Sequence, residues 1–440
     1  MKTKNSKGTN DMHKDHDINV REVTRVEGHG NIVIDVKNGV IKELKLEIIE
    51  SPRFFEAMLV GRRYDEAQHI MSRICGICAV SHTSASLKAV ESAMGMKITA
   101  QSRLLRELAF AGETLQSHIL HLYFLVLPDF LGVGSILPLI KSHPKAAKLG
   151  LNLKNLANEI CRIVGGRHIH PISLWPGGVL HTPKKEELRQ LKARLISSLD
   201  MLEETIEMFS GFTIRRFEKN REYVSLKSKK GYALYDGTPY SNEGGEIGAD
   251  KFAKEVKEFM VPHSAAKHAR TKRGTYMVGA LARLNNNFKR LSPRAKAGAE
   301  RLGVTAKSNN PFLNNQAQLV ECVHVTEDAV SITEKLLAMG LKEENPVKPK
   351  TYGRGVGIVE APRGTLFHEY TINKNGLVEK ANCIIPTAQN LRSIEDDLRA
   401  FVPLILDKSK VEITAAVEAL VRAYDPCISC STHMMNVKFA

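Results

Sequence analysis

The sequence lacks a long apolar run. Its most apolar stretch, residues 119–131, is interrupted by His121, Pro128 and Asp129, whereas a helix that crosses a membrane needs about 20 mostly apolar residues. The first twenty residues are polar and charged, without the apolar segment that secretory signals have. We therefore expect no membrane span, a flexible charged tail over residues 1–18, and a cytoplasmic protein.

Tryptophan is nearly absent, with one in 440 residues, and no motif typical of RNA- or DNA-binding proteins is present. The formal net charge of +15 would by itself favour a nucleic-acid partner. However, the 63 Lys and Arg residues are spread along the chain, with one dense cluster at residues 267–273. We therefore expect a solvated basic surface or an acidic protein partner, and no nucleic-acid partner.

Cysteine is scarce, and four of the seven cysteines form two CxxC pairs near opposite ends of the chain, Cys75/Cys78 and Cys427/Cys430. An odd count and this spacing suit metal binding in a reducing compartment better than disulfides. Two intervening residues let both sulfurs of a pair face one metal ion. The pairs can share a site only if the fold brings both chain ends together, which predicts one interwoven unit over residues 19–433.

Four thiolates from two CxxC pairs ordinarily bind a structural zinc ion, and the spacing alone leaves that alternative open. Two observations favour a metal that performs chemistry. The chain is long enough to build its own hydrophobic core without a zinc staple. Each pair is also flanked by polar side chains that a closed zinc site does not need, Arg73 and His82 beside the first and Asp425 and His433 beside the second.

Helical periodicity dominates the middle of the chain. Apolar residues recur at three- and four-residue spacing in residues 100–127, 145–164, 184–210, 250–260 and 316–339. Residues 64–96 show a helical pattern that includes the first CxxC pair. The sequence therefore predicts an α+β fold that is mainly α, a bundle of long helices with small antiparallel sheets near both chain ends.

Alternating apolar residues predict the strands of these sheets. Residues 31–49 alternate around Asn38-Gly39, a dipeptide typical of tight hairpin turns. A second hairpin is expected around residues 373–376, and a short one at residues 232–237. The first hairpin is flanked by the acidic residues Glu27 and Glu56.

The segments around the two CxxC pairs, RICGICAVSH from Arg73 to His82 and DPCISCSTH from Asp425 to His433, resemble the two signatures of the large, catalytic (alpha) subunit of nickel–iron hydrogenases. The resemblance continues in shorter motifs: RVEGH at 25–29, RFFE at 53–56, QSH at 116–118, LPDF at 127–130, NPF at 310–312, EAPRG at 360–364 and PT at 386–387. Within this family the sequence most resembles the alpha subunits of cytoplasmic NAD(P)-linked hydrogenases, also called sulfhydrogenases. The resemblance implies the large-subunit fold and reversible, heterolytic oxidation of H2.

The resemblance also implies that the four thiolates bind nickel. Cys75 and Cys427 would be terminal ligands, while Cys78 and Cys430 would bridge nickel to an iron that carries CO and cyanide. Soft thiolates suit both metals. His82 and Pro386 would lie around this centre, with His82 donating a hydrogen bond to a bridging sulfur.

By the same resemblance, Glu27 is the proton-relay glutamate, because a carboxylate beside the metals can take up a proton and pass it outward. Arg363 and Thr387 would donate hydrogen bonds to the anionic cyanides. From the residues alone, plainer interpretations stay open: Glu27 as a surface or strand-end acid, Arg363 as a turn residue after Pro362, and Thr387 as a helix N-cap.

Glu56 and His433, with the backbone carbonyl of Cys383, match the family's magnesium (or iron) site near the buried C-terminus. Carboxylate suits Mg²⁺ and imidazole suits it less, so water-rich coordination is expected. In the family a maturation protease removes an extension after this histidine once nickel is inserted. Residues 434–440 are therefore expected to be removed after His433, and a short frayed terminus is the alternative.

The remaining cysteines, Cys161, Cys322 and Cys383, are isolated and expected to be small buried apolar residues. The chain thus has too few cysteines for an iron–sulfur relay, and it has no G-x-G-x-x-G dinucleotide motif after a strand. We expect an iron–sulfur small subunit and flavin/NAD(P) and ferredoxin-like subunits as partners, besides a maturation protease and a nickel chaperone. The alternatives are a subunit that feeds a heterodisulfide or deazaflavin reductase, an H2 sensor, and a structural zinc protein.

Overall fold

The computed structural model describes residues 16–433. Long helices dominate it, and small sheets lie towards both ends of the chain and at residues 222–277, where four strands form a mixed sheet. The helices are α1 (Phe55–Leu59), α2 (Ala67–Met71), α3 (Ala79–Met94), α4 (Ala100–Leu120), α5 (Leu127–Phe130), α6 (Ile136–Ser142), α7 (Pro144–Gly165), α8 (Lys185–Ser210), α9 (Phe252–Glu255), α10 (Ala280–Asn287), α11 (Pro293–Arg301), α12 (Asn314–Met339), α13 (Pro386–Phe401), α14 (Lys410–Ala423) and α15 (Ile428–Ser431). The strands are β1 (His16–Val20), β2 (Gly30–Lys37), β3 (Val40–Ile48), β4 (Leu174–Trp175), β5 (Gly178–Val179), β6 (Glu222–Lys227), β7 (Thr238–Ser241), β8 (Gly245–Glu246), β9 (Lys257–Phe259), β10 (His268–Arg270), β11 (Tyr276–Met277), β12 (Gly353–Ala361), β13 (Gly364–Ile372) and β14 (Val378–Ile384). The predicted α+β, mainly helical architecture is confirmed.

An antiparallel sheet of order β1-β2-β3 forms the N-terminal part of the fold. It contains the predicted hairpin, because β2 and β3 join at Asn38 and Gly39. Their φ angles of 52° and 72° are those of a tight turn with two left-handed residues.

The N-terminal tail predicted over residues 1–18 is too long. Strand β1 begins at His16, and Ile18 pairs with Ile34 of β2 and is fully buried. Burial of this apolar side chain draws the segment into the sheet. The rest of the predicted tail, residues 1–15, and the predicted C-terminal extension, residues 434–440, lie outside the described residues.

A second antiparallel sheet, of order β12-β13-β14, lies in the C-terminal third. The predicted hairpin is its β13–β14 pair, whereas β12 is not evident from the sequence. Helix α3 packs directly on β12. Two glycines permit this approach, because a Cβ on Gly355 or Gly357 would lie 2.2 or 2.0 Å from a backbone oxygen of α3. The sheet therefore supports the helix that follows the first CxxC pair.

The first CxxC pair is not helical, contrary to the prediction for residues 64–96. Cys75 is extended (φ −145°, ψ 138°), and α3 starts only at Ala79, directly after Cys78. The sulfur of Cys75 accepts hydrogen bonds from the N–H groups of Ile77 and Cys78, both at 3.2 Å. These local bonds fold the segment into a loop.

One further prediction is wrong and another is right only in part. Residues 250–260 form a 3-10 turn, the short α9 and then β9, because pairing of β9 with β10 outweighs the local helical periodicity. Residues 232–237 contain no strand, but they lie in the connection of the antiparallel hairpin that β6 and β7 form. The carbonyl of Leu234 in this connection accepts the N–H of Glu360, so tertiary contacts hold the segment in place.

The long helices pack around α4 and α12. Helix α4 contacts α7 and α12, and α12 contacts α8. These helices confirm the predictions for residues 100–127, 145–164, 184–210 and 316–339, except that α4 continues beyond Leu120 as a π-helical segment. No helix in residues 16–433 is long and apolar enough to cross a membrane.

We expect Gly357→Ala to destabilise the protein by about 1–3 kcal/mol, the usual cost of overpacking a close contact. The new methyl group would meet the backbone of α3, which cannot rotate away. Thermal unfolding of the purified protein measures the effect. Gly231→Ala is the matched control, because nothing lies within 4 Å of a Cβ at that position. Equal melting temperatures for the two variants would contradict the packing described here.

Candidate metal centre

The four cysteines of the CxxC pairs come together in the fold. Their sulfur atoms all lie within 4.8 Å of one another, and all four are buried and free of disulfide bonds. The sulfur of Cys75 is 3.6 Å from that of Cys427, and the sulfur of Cys78 is 3.7 Å from that of Cys430. The first members of the two pairs are thus neighbours, and so are the second members.

Glu113 holds the start of α3, although the sequence alone does not single it out. Its carboxylate, on α4, accepts hydrogen bonds from the N–H groups of Val80 and Ser81 and from the Ser81 hydroxyl. The first turn of a helix leaves such N–H groups without intrahelical partners. Burial raises the pKa of Glu113 to about 8, while the three donors favour its charged form. Because α3 begins directly after Cys78, this contact fixes the direction of that cysteine.

Arg53 braces the two cysteine segments against each other. Its guanidinium donates to the carbonyl of Ile74, at 2.8 Å, just before the first pair, and to the carbonyl of Ser429 inside the second pair. The backbone N–H of Arg53 donates to the carbonyl of Thr432 at 2.7 Å, and Arg53 forms a β-bridge with His433. One arginine therefore connects segments from both ends of the chain.

The second CxxC pair is positioned by the start of α13. Cys427 is the N-cap of the short α15, and its N–H donates to the hydroxyl of Thr387 at 2.9 Å. Thr387 follows Pro386 in the first turn of α13, whose N-cap is Ile385. The N-cap interpretation of Thr387 is therefore wrong. Its hydroxyl accepts from Cys427 and keeps its own proton for donation.

Glu27 lies against the second pair. Its backbone forms a parallel bridge with Cys427, and its carbonyl accepts the N–H of Ile428 at 2.9 Å. Its carboxylate accepts the N–H of Ser429 at 3.1 Å and also the Ser429 hydroxyl. The side chain is half-buried. Glu27 is therefore held beside the cysteines and still reaches towards solvent, unlike a free surface acid.

Arg363 is buried in the turn between β12 and β13. Its Nε donates to the carbonyl of Asp425 at 2.9 Å, one Nη donates to the Asp425 carboxylate at 3.0 Å, and the other lies 3.3 Å from the Ser117 hydroxyl. Burial acts to lower the pKa of Arg363, but Asp425 and the cysteine sulfurs raise it well above its usual value. Arg363 is therefore a fixed positive charge beside the sulfur cluster.

A fully buried arginine, Arg283, holds the turn that carries Arg363. It donates to the carbonyls of Ala361 and Pro362, at 2.9 and 2.8 Å. It also donates to the carboxylates of Glu321, at 2.7 Å, and Glu360, at 3.1 Å. Each of these buried charges has a partner, which is the condition for tolerating charge in the interior.

The four thiols differ in acidity. Hydrogen bonds from Cys427 and Cys430 lower the pKa of Cys75 well below its usual value. Burial raises the pKa of Cys427 and of Cys430, and Cys75 and burial together outweigh the hydrogen bonds from Cys427 and Cys430 and raise the pKa of Cys78 to about 11. A metal ion that bound all four sulfurs would therefore have to displace the protons of these three thiols.

His433, Glu56 and Cys383 were predicted to form a second metal site. His433 is buried, its two ring nitrogens have no hydrogen-bond partner among residues 16–433, and burial lowers its pKa to about 3. Glu56 accepts the N–H of Cys383 at 2.7 Å and lies 3.7 Å from the ammonium of Lys267. Lys267 also contributes to the low pKa of His433, so both groups lie near one ammonium. Cys383 contacts Glu56 through its backbone N–H. That its backbone carbonyl binds the metal stays a prediction.

His82 is part of a buried chain of hydrogen bonds. Its Nδ1 lies 3.2 Å from Nε2 of His368, and Nδ1 of His368 lies 2.7 Å from the hydroxyl of Tyr370. That hydroxyl donates to Ser86 at 3.1 Å. Burial lowers the pKa of His82 to about 4. The chain fixes the ring of His82, whose hydrogen bond to a cysteine sulfur stays a prediction.

Some residues around the centre can be found only in the folded chain. Glu113 and His368 stand in ordinary helical and strand patterns, so nothing local marks them. Lys267 begins the basic cluster at residues 267–273 noted from the sequence, but nothing in that cluster indicates contact with Glu56. Arg53 could have been identified from the sequence as a residue of the site, because it begins the RFFE motif. The isolated cysteines are buried as expected, with 1% exposure or less for Cys161, Cys322 and Cys383.

Comparison with known proteins points to one family. The family model described as nickel-dependent hydrogenase matches residues 53–150 and 249–433. The chain is 36% identical over 427 residues to sulfhydrogenase 1 subunit alpha of Pyrococcus furiosus, with 96% of this chain and 98% of that protein covered. It is 28% identical over 464 residues to the NAD-reducing hydrogenase HoxS subunit beta of Cupriavidus necator, with 94% of each covered.

The fold is also similar to that of solved structures. A crystal structure of an NAD⁺-reducing NiFe hydrogenase in the H2-reduced state superposes with a TM-score of 0.86 at 27% identity. The superposition covers 95% of this chain and 99% of the other. The helices and sheets described above therefore form the fold of that enzyme's chain.

Proposed function

The chain belongs to the nickel-dependent hydrogenase family, and on that premise we propose that it is the catalytic subunit of a nickel–iron hydrogenase, which oxidises H2 reversibly to protons and electrons. The observation that carries the proposal is the cluster of four buried sulfurs from both chain ends. A structural zinc site would need these sulfurs but not Glu27, Arg363 and Thr387 placed around them.

The residues fit a nickel–iron centre. We assign Cys75 and Cys427 as terminal nickel ligands and Cys78 and Cys430 as the bridging ligands. The assignment rests on the resemblance of the two CxxC segments to the family's signatures, and the geometry is compatible with it because all four sulfurs lie within 4.8 Å of one another. When bound, the centre supplies the heterolytic splitting of H2.

Arg363 and Thr387 are proposed to hold the CO- and cyanide-bearing iron in place. Asp425 anchors the guanidinium of Arg363 from one side, and the N–H of Cys427 anchors the hydroxyl of Thr387. Each side chain therefore has a fixed direction. A cyanide nitrogen is an anionic acceptor, and charge-assisted hydrogen bonds to it are strong and orienting.

Glu27 is proposed to receive the proton on its carboxylate. Two hydrogen bonds from Ser429 hold that carboxylate beside the second CxxC pair. Its half-buried position supports transfer outward, because a residue beside the cysteines that is not fully enclosed can pass a proton on. A positioned carboxylate of this kind typically contributes about 10²–10⁴-fold to turnover.

A magnesium (or iron) site is proposed at Glu56 and His433, with the carbonyl of Cys383. The unpartnered ring nitrogens of His433 support it, because a buried imidazole without a hydrogen bond is costly. Magnesium prefers oxygen ligands, so water would complete the coordination. The ion would lie where the chain's C-terminal segment meets α1 and β14.

Electrons are proposed to leave through an iron–sulfur small subunit. Four of the seven cysteines form the metal centre and the other three are isolated, so a relay has to come from a partner. The sulfhydrogenase and NAD-reducing relatives are themselves named as subunits of larger enzymes. We propose NAD(P) as the acceptor, reached through flavin and ferredoxin-like subunits in the cytoplasm.

Metal content tests the proposed centre. We expect about one nickel per chain in the purified complex, together with infrared bands from CO and cyanide, because four thiolates bind soft metals. Cys430→Ser should lose nickel and these bands. Cys322→Ala, a buried cysteine on α12, should keep both. Zinc in place of nickel, with no infrared bands in the unmodified complex, would refute the proposed function.

Glu27→Gln should lower H2 oxidation at least about 100-fold, because an amide cannot take up the proton. Nickel content and infrared bands should stay those of the unmodified enzyme, since the amide oxygen still accepts from Ser429. Glu43→Gln, on the exposed part of β3, is the matched control and should leave turnover unchanged. Undiminished turnover in Glu27→Gln would remove Glu27 from the proton path.

We propose that residues 434–440 are removed after His433. His433 is already buried and bridged to Arg53, so cleavage would leave a C-terminus inside the protein beside the metals. The intact mass of the nickel-loaded chain should correspond to an end at His433, and the mass without nickel to the full chain. A nickel-loaded, active chain of full length would contradict the proposal.

A further inference from the structure

We propose a second transition-metal site, apart from the cysteine cluster and from Glu56 and His433, in which His263, His268 and Glu395 bind one divalent ion of the zinc class. The proposal concerns residues that the hydrogenase reaction does not use. It stands on geometry and burial and does not depend on the proposed function.

Three elements bring the ligands together. His263 lies in the loop between β9 and β10, His268 is the first residue of β10, and Glu395 lies on α13. One candidate ligand atom from each lies within 4.8 Å of the other two. Nε2 of His263 is 2.7 Å from Oε1 of Glu395. An ion needs only small movements to contact all three atoms.

His268 gives the strongest indication of a missing partner. Its side chain is fully buried, and neither ring nitrogen has a hydrogen-bond partner within residues 16–433. The centroid of its ring lies 5.9 Å from the ring centroids of Phe259 and His263. Buried polar groups normally have a partner, and an ion bound beside His263 and Glu395 would provide one. Burial lowers the pKa of His268 to about 3, which keeps the ring in the neutral, metal-binding form.

The surrounding charges allow a cation. Glu395 supplies the negative charge, and its Oε1 also accepts the N–H of Leu46 at 3.1 Å. The nearest positive group is Arg392, whose Nη1 lies 3.5 Å from Oε2 of Glu395. Arg392 is 40% exposed and has a second partner, Asp396, at 3.3 Å. Its guanidinium can therefore stay with Asp396 when an ion binds Glu395.

The ligand set selects the kind of ion. Two imidazoles and one carboxylate suit Zn²⁺ and similar transition metals, whereas Mg²⁺ and Ca²⁺ prefer oxygen ligands. Three protein ligands leave the fourth position for water, and the side chain of His263, 17% exposed, gives access from solvent. A bound ion would tie β10 to α13, the helix whose first turn holds Thr387 beside the cysteines.

Zinc analysis of the purified complex tests the site. We expect about one zinc per chain after dialysis against a weak chelator, with only nitrogen and oxygen neighbours at about 2.0–2.2 Å in X-ray absorption. Sulfur neighbours at about 2.3 Å would instead place the zinc on the cysteines and overturn the proposal. Nickel measured in the same sample separates this result from the hydrogenase proposal: zinc without nickel supports the site alone, and nickel without zinc refutes it.

Two variants sharpen the test. His268→Phe fills the apolar surroundings and should fold, and His263→Gln keeps a polar contact with Glu395. Each should weaken zinc binding at least about 100-fold. Loss of a hydrogen-bond partner of a metal ligand typically lowers metal affinity about 10–100-fold, and these variants remove a ligand itself. Added Zn²⁺ should raise the melting temperature of the unmodified complex and of the control His181→Gln, but not of these variants. Equal zinc content in all four proteins would overturn the proposal.

Discussion

Four cysteine sulfurs that must face one another tie the two ends of this chain together, and the rest of the fold depends on that closure. Glu27 bridges to Cys427 and Arg53 bridges to His433, so segments that begin and end the described chain lie side by side. The four sulfurs lie within 4.8 Å of one another, so a single ion bound to them would hold both ends of the chain together. The long helices between these two segments form a scaffold that keeps the ends of the described chain side by side.

Buried and half-buried charge pairs add to the apolar packing around the centre. Asp129 accepts from both Arg25 and Arg422, which joins the start of the described chain to α14. Arg363 is held by Asp425 in the same way. Such pairs stabilise little when compared with apolar packing, but breaking one leaves a buried charge without a partner. The structure therefore tolerates few alternatives to the observed arrangement.

Much of the fold is predictable from local patterns, and the failures share one cause. Asn38-Gly39 and the helical periodicity of α4, α7, α8 and α12 are local signals, and the structure follows them. The first CxxC pair and residues 250–260 have helical periodicity too, but hydrogen bonds to a sulfur and pairing with β10 override it. Local periodicity predicts an element only where no stronger long-range contact competes.

The sequence by itself determined which donor atoms are available: four thiolates in two CxxC pairs, carboxylates at Glu27 and Glu56, and imidazole at His433. Their local motifs also identify the family. Only the tertiary structure decided which donors meet, because contacts between distant segments depend on packing. It placed Cys75 beside Cys427 and Cys78 beside Cys430. It also showed the contact of Glu113 with α3 and the unpartnered ring of His268, which no neighbour in sequence reveals.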